Sequence, residues 1–162
     1  MERAQWIEAV GALLVLGSLT YGAFHQVGTA RQLADREQAT VVAVGLARGV
    51  LELCALRAFD ERSLSRWCSH PAELTPPGAL GPEVGEGEFV EFDDLDDFHG
   101  WSRVDTVGGV PYQLEVRVYY ADPNDLDRPA SGATFFKTVQ VLVHSPGLAE
   151  PVRLKRTYAY FR

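Results

Sequence analysis

The chain has 162 residues, of which 46% are apolar and 23% are charged, a composition typical of a globular protein with one core. Its formal net charge of -7 comes from one stretch, because residues 83–97 contain eight acidic residues and no basic one. A chain of this charge, with no cluster of Lys and Arg, repels phosphate backbones, so we expect no nucleic-acid partner.

The first predicted element is a helix in residues 1–30. Residues 9–30 contain no Asp, Glu, Lys or Arg, and the apolar density is highest in AVGALLVLGSLTYGAF, residues 9–24. A helix over the 22 uncharged residues would be about 33 Å long, close to the roughly 30 Å of hydrocarbon in a bilayer. We therefore expect residues 1–30 to be a hydrophobic membrane anchor and assembly segment.

The alternatives to an anchor are a cleaved signal peptide and a buried core helix, and the flanks of this run argue against the signal peptide. Glu2 and Glu8 offset the positive charge of Arg3, whereas a signal peptide begins with a basic region. Trp6 and Tyr21, near the two ends of the run, are typical of interfacial anchors that contact lipid. The expected localisation is a single-pass inner-membrane protein with an exported periplasmic or cell-surface domain.

The helical pattern continues through residues 31–59, which contain no proline. Apolar residues recur there at spacings of three, four or eight, and the charged residues lie largely elsewhere. The resulting stripe consists of Leu33, Val41, Val44, Ala47, Leu51 and Cys54. We expect one long helix over residues 4–59, with its first half in the membrane and its second half amphipathic.

The remainder of the chain, with residues 31–59, forms the predicted exported domain, residues 31–162. Prolines and glycines between Arg66 and Glu88 predict a connecting loop over residues 60–109. Three alternating runs then predict an antiparallel sheet over residues 110–162: VPYQLEVRVYY, TFFKTVQVLVH and PVRLKRTYAYF. The expected fold class is α+β, with a long N-terminal helix packed on an antiparallel meander.

This order of elements resembles that of type IV pilins and pseudopilins over most of the chain. LARGVLELCALRAFDE, residues 46–61, looks like the helix end of minor pilins. FDDLDDFHGW, residues 92–101, resembles the acidic, aromatic, His-Gly loop before the sheet in minor pilins related to the mannose-sensitive haemagglutinin pilus. The resemblance implies a non-enzymatic minor pilin or pseudopilin in a type IV pilus-like filament or secretion pseudopilus.

The partners that the resemblance implies are other pilin or pseudopilin subunits and the inner-membrane assembly machinery. It also implies an assembly role for Glu8, as the carboxylate that pairs with the N-terminal amine of a neighbouring subunit. The other interpretation of Glu8 is an acid in the first turns of a helix, where the helix dipole favours it. Because Arg3 stands where the family has Gly, we expect poor processing by a prepilin peptidase. The alternative function is an exported single-span binding module that does not polymerise.

The stretch EFDDLDDFHGW, residues 91–101, has two interpretations. Its four aspartates could ligate calcium, which accepts irregular oxygen geometry, although their spacing is not that of an EF-hand: Asp93, Asp94, Asp96 and Asp97. Alternatively, one of the first two caps a turn, the others face water, and three aromatic residues anchor the loop beneath the sheet: Phe92, Phe98 and Trp101. We expect the packed loop, and no cofactor apart from this calcium candidate.

The two cysteines allow at most one bridge, which we expect between Cys54 and Cys68 because an exported domain meets an oxidising environment. Zinc binding through these thiols with His70 and His99 lacks the spacing of a zinc motif. Cys68 with His70 likewise lacks the motif of a nucleophile and its base, so we do not expect an enzyme.

Overall fold

A computed structural model describes residues 2–83 and 85–161, and within the first helix it describes the side chains of residues 11–22, 24–26 and 33–54. The chain divides into two compact units, Met1–Gln38 and Ala39–Arg162. The first helix, α1, covers Glu2–Cys54 and contributes residues to both units. It ends before the predicted residue 59, in a turn that leads to Phe59.

The predicted membrane-spanning half of this helix is wrong. Within the described part of the chain, no helical segment combines the length and the apolarity that a bilayer crossing requires. The prediction of a fold with a transmembrane helix and the prediction of a single-pass inner-membrane localisation are therefore both wrong.

The elements after α1 are short helices followed by strands. The helical pieces are α2 (Glu61–Ser65) and two 3₁₀ turns, Pro71–Glu73 and Pro77–Ala79. The strands are β1 (Ser102–Val107), β2 (Val110–Asp122), β3 (Asp125–Pro129), β4 (Phe136–His144) and β5 (Val152–Ala159). They form an antiparallel sheet in the order β1-β2-β4-β5, and β3 pairs with the end of β2.

The sheet starts earlier than predicted, because β1 and β2 form a hairpin with a two-residue loop. Gly108 and Gly109 connect the paired residues Val107 and Val110, with φ of 59° and 81°. Positive φ at both loop residues is the geometry of a tight hairpin turn whose twist matches that of the strands, and glycine adopts it without strain.

The end of α1 packs on the sheet through a face that the predicted stripe covers in part. The buried positions are Ala39, Ala43, Ala47, Val50, Leu51 and Cys54. Ala47, Leu51 and Cys54 of the predicted stripe are thus buried, whereas Leu33 and Val41 are 59% and 72% exposed. Val41 was misassigned because it is six residues from Ala47, about 120° around the helix, and Leu33 precedes the second unit, which begins at Ala39.

The sheet contributes the other half of this core. On β2, alternate residues from Tyr112 to Tyr120 are buried, and on β4 the buried valines are Val139, Val141 and Val143. Lys137 is in phase with these valines and is also buried. The sheet thus presents one apolar face to α1, with a single lysine at its end.

Candidate functional site

The first candidate surface is the apolar segment, residues 11–24 of α1. Its large apolar side chains are each between 60% and 79% exposed: Leu13, Leu14, Val15, Leu16, Leu19, Tyr21 and Phe24. Residues 13–16 are consecutive and about 100° apart around the helix, so apolar groups occur on every side. The predicted residues Glu8 and Trp6 have side chains outside the described residues.

The second candidate is the acidic loop, residues 91–101, which backbone hydrogen bonds fix at both ends. At its start, the Ala58 amide donates to the Asp93 carbonyl oxygen and the Leu95 amide donates to the Ala58 carbonyl oxygen, each over 3.0 Å. At its end, the Val116 amide on β2 donates to the Trp101 carbonyl oxygen over 2.9 Å. The loop therefore lies between the end of α1 and the sheet.

Aromatic side chains hold this loop against the core. Phe92 and Phe98 are buried and meet edge to face, with ring centroids 5.1 Å apart. Trp101 is half-buried, and its ring lies 4.7 Å from that of Phe89, which also contacts Phe92 and Phe98. Phe89 is an anchor that the sequence analysis did not single out.

A buried ion-pair network lies beneath the loop, with Lys137 at its centre. Lys137 Nζ donates to Asp60 Oδ2 and to the Phe59 carbonyl oxygen, each over 2.8 Å, and to Asp96 Oδ1. The side chains of Lys137, Asp60 and Asp96 are completely inaccessible to solvent. These three acceptors match the three hydrogens of the ammonium group, so its hydrogen-bonding capacity is fully used.

Asp60 joins this network to the two elements that follow α1. Its carboxylate caps α2 by accepting the Arg62 amide over 3.1 Å, and it accepts the Thr75 amide over 3.0 Å. The Tyr120 hydroxyl lies 3.0 Å from Asp60 Oδ2. Burial opposes ionisation of Asp60, but the charge and hydrogen bonds of Lys137, with the other donors, lower its pKa below the ordinary value.

The other buried acids of the loop are harder to ionise. Burial raises the pKa of Asp96 to about 6 against the opposing charge of Lys137. Burial and the neighbouring Asp96 raise the pKa of Asp94 to about 8. Asp94 Oδ1 accepts the Asp96 amide over 2.5 Å, which fixes the turn, whereas Oδ2 of Asp94 has no hydrogen-bond partner among the described residues. Asp94 thus caps a turn, as expected for one of the first two aspartates. The expectation that the other acids face water is wrong for Asp96 and Asp97, which are buried, whereas Asp93 is exposed.

Asp97 belongs to a separate group, the carboxylate triad of Glu83, Glu86 and Asp97. One carboxylate oxygen from each residue lies within 4.8 Å of the other two. Glu83 is exposed, Glu86 is half-buried and Asp97 is buried. Although Glu83 is exposed as a residue, partial desolvation of its carboxyl group, with the nearby Glu86 and Asp97 carboxyl groups, raises its pKa to about 8.

A fourth acid, Glu61 of α2, lies within the electrostatic influence of this group. Its pKa is raised by burial and then by the charges of Asp93, Glu86 and Asp97. Its Oε2 atom is buried and has no hydrogen-bond partner among the described residues. Four acidic side chains are therefore crowded around the triad.

The predicted calcium ligands are thus divided between different environments. Asp94 and Asp96 belong to the buried turn and ion-pair network, Asp93 is exposed, and Asp97 alone joins the triad. Glu83 and Glu86 were not predicted as partners of Asp97, although they belong to the acidic stretch 83–97. Lys137 was not predicted either, although it alternates along β4 with the buried valines and so falls on the same face of the strand.

The predicted bridge between Cys54 and Cys68 is not formed, because both cysteines are free and lie in different apolar clusters. Cys54 packs between α1 and the sheet, whereas Cys68 packs with Leu74 and Tyr120. Burial raises the pKa of the Cys54 thiol to about 12. His99 is held at the sheet, with its Nδ1 2.8 Å from the Val118 carbonyl oxygen.

Comparisons of the chain with protein-family models, curated proteins and solved structures found no match. The function proposed below is therefore inferred from the residues of the chain itself.

Proposed function

We propose that this chain is a minor pilin or pseudopilin, a non-enzymatic structural subunit of a type IV pilus-like filament or secretion pseudopilus. The apolar segment is its assembly surface. The helices that it contacts are the corresponding apolar helices of neighbouring subunits. The sequence resemblance of residues 46–61 and 92–101 to minor pilins supports the same class.

The observation that carries this proposal is the exposure of apolar side chains on every side of residues 11–24. A helix that packs against one surface needs only one apolar stripe, whereas a helix that is apolar all round is normally enclosed by its surroundings. A filament core built from neighbouring helices supplies such an enclosure.

The glycines in this segment support contact with another helix. At Gly11, Gly17 and Gly22, an added Cβ would meet no described atom within 4 Å, so the surface there is open. Small residues allow two helix backbones to approach closely and increase their van der Waals contact. Each glycine costs helix stability of up to about 1 kcal/mol relative to alanine, and closer packing between helices would offset that cost.

The test is incorporation into filaments in the host cell. Filaments would be sheared from cells that express the tagged full chain and probed for it by immunoblot. Leu16→Asp places a charge in the apolar segment, and Val104→Asp on β1 is the matched control, because these residues are 60% and 61% exposed. We expect wild type and Val104→Asp in the sheared fraction and at least about tenfold less Leu16→Asp, since burying an unpaired charge between helices is costly.

Equal incorporation of Leu16→Asp and Val104→Asp would contradict the proposed assembly surface. A wild-type chain that is absent from sheared filaments and sediments as a monomer would instead favour the binding-module alternative.

A further inference from the structure

The carboxylate triad has the geometry of a cation site. Its three residues come from two segments, with Glu83 and Glu86 from the turn before the acidic loop and Asp97 from within the loop. Calcium binds oxygen at 2.3–2.6 Å, so two oxygens on the same ion are at most about 5 Å apart. The triad oxygens lie within 4.8 Å of one another, so one ion can contact all three.

The environment of Asp97 gives an independent reason to expect a ligand. Asp97 is fully buried, and its Oδ2 atom accepts the Asp93 amide over 2.9 Å and the Asp94 amide over 3.1 Å. Its other oxygen, Oδ1, has no hydrogen-bond partner among the described residues, although this carboxylate adjoins Glu83 and Glu86. A buried carboxylate oxygen without a described partner is unfavourable, and a cation held by the three carboxyl groups would satisfy it.

The ligand atoms select the ion. Carboxylate oxygens are the preferred ligands of hard cations, whereas zinc favours His and Cys, neither of which is in the triad. Magnesium requires near-ideal octahedral geometry at about 2.0–2.1 Å and usually keeps several waters, so it is less often bound by a dedicated set of protein carboxylates. Calcium tolerates irregular sites, and the exposure of Glu83 leaves room for water to complete the coordination.

We infer that Glu83, Glu86 and Asp97 form a calcium site that fastens the turn at residues 83–86 to the acidic loop. The ion contacts the free oxygen of Asp97, while the opposite oxygen of the same carboxylate keeps its two backbone amides. This site is independent of the proposed assembly surface on α1.

The experiment uses the full chain in one mild non-ionic detergent, first stripped with a chelator and dialysed. Calcium chloride is titrated by isothermal calorimetry, and thermal unfolding is followed by circular dichroism with chelator and with millimolar calcium. Glu83→Gln and Glu86→Gln each remove one triad carboxylate without changing side-chain shape.

Glu91→Gln is the matched control for Glu86→Gln. The Glu86 carboxylate accepts the Glu83 amide over 3.2 Å, and the Glu91 carboxylate accepts the Glu88 amide over 2.9 Å. Each side chain therefore bonds the backbone amide of the residue three positions before it. Only Glu86 belongs to the triad. The pair therefore separates loss of a cation ligand from loss of a turn contact.

We expect wild type and Glu91→Gln to bind one calcium ion. At a calcium concentration about ten times Kd, their unfolding midpoints should rise by about 3–6 °C, because the ion binds only the folded state. Both triad variants should bind at least about tenfold more weakly, and magnesium should give a smaller shift. The inference is overturned if the wild type shows neither binding heat nor a shift at millimolar calcium, or if Glu83→Gln and Glu86→Gln bind as tightly as Glu91→Gln.

Discussion

Lys137 shows how one residue can determine the local structure around it. Removing an ammonium and two carboxylates from water costs several kcal/mol per ion, and the ion pairs with Asp60 and Asp96 offset that cost only while all the partners are present. The network also joins chain segments that are distant in sequence, since Asp60 precedes Lys137 by 77 residues and Asp96 precedes it by 41. It therefore fixes the chain after α1 and the acidic loop relative to β4.

Replacing this lysine should be among the most destabilising changes in the chain. We expect Lys137→Met to lower the free energy of unfolding by about 3–5 kcal/mol, because it leaves two buried carboxylates without their cation. The control is Lys155→Met on β5, where the ammonium lies 3.6 Å from an exposed Asp127 carboxylate and the effect should stay within about 0.5 kcal/mol. Urea unfolding at pH 7 measures both changes, and a loss below about 1 kcal/mol for Lys137→Met would contradict the role assigned to the network.

Asp94 should give the protein an unusual dependence of stability on pH. Its pKa is about 8 in the folded chain, mainly because of burial, against about 3.9 when unfolded, so the folded state binds its proton more tightly. The resulting stability is fully present below about pH 4 and is lost as the pH rises towards 8. In chelator, the free energy of unfolding should therefore increase from pH 8 to pH 5, by at most about 4 kcal/mol from this residue.

Asp94→Asn is the matched variant, because its side-chain oxygen can still accept the Asp96 amide while the titration is removed. We expect its stability to vary less with pH than that of the wild type in the same urea titrations. Parallel pH profiles for the two proteins would show that Asp94 is not the group responsible.

At the scale of elements, the strands were readable from the sequence because the two sides of a pleated sheet have different environments. The alternation of β2 predicted both its position and its buried face, from Tyr112 to Tyr120. The hairpin at Gly108 and Gly109 was missed, although two adjacent glycines between short strands indicate such a turn. The buried face of α1 was predicted only in part, because Ala47, Leu51 and Cys54 belong to it, whereas Val41 lies about 120° around the helix from Ala47 and is exposed.

The acidic loop could be predicted only in part, since its acids find their partners far along the chain. Burial of Phe92 and Phe98 follows from their apolar character, but a run of aspartates is by default solvated. The default fails for Asp96 because Lys137, on a strand 41 residues later, supplies a buried cation. Nothing in the spacing of the aspartates indicates that pairing, and Asp96→Asn would remove a charge from the buried network.

At the scale of the whole molecule, the division of the chain into Met1–Gln38 and Ala39–Arg162 separates the proposed assembly surface from the apolar core. Every member of the two apolar clusters lies at or after Val42. The ion-pair network and the carboxylate triad also lie within the second unit. Stability and the proposed assembly therefore depend on different residues.

This separation predicts the result of removing residues 1–30. A chain that begins at residue 31 retains every member of both apolar clusters. Changes outside the core usually have little effect on stability, so we expect its thermal unfolding midpoint to stay within about 2 °C of that of the full chain. It lacks the apolar segment, so self-association of the full chain should disappear. Circular dichroism melts measure the first effect, and sedimentation velocity without detergent measures the second. A shortened chain that fails to fold would show that residues 1–30 contribute to the core, whereas one that folds and still associates would place the assembly surface in residues 31–162.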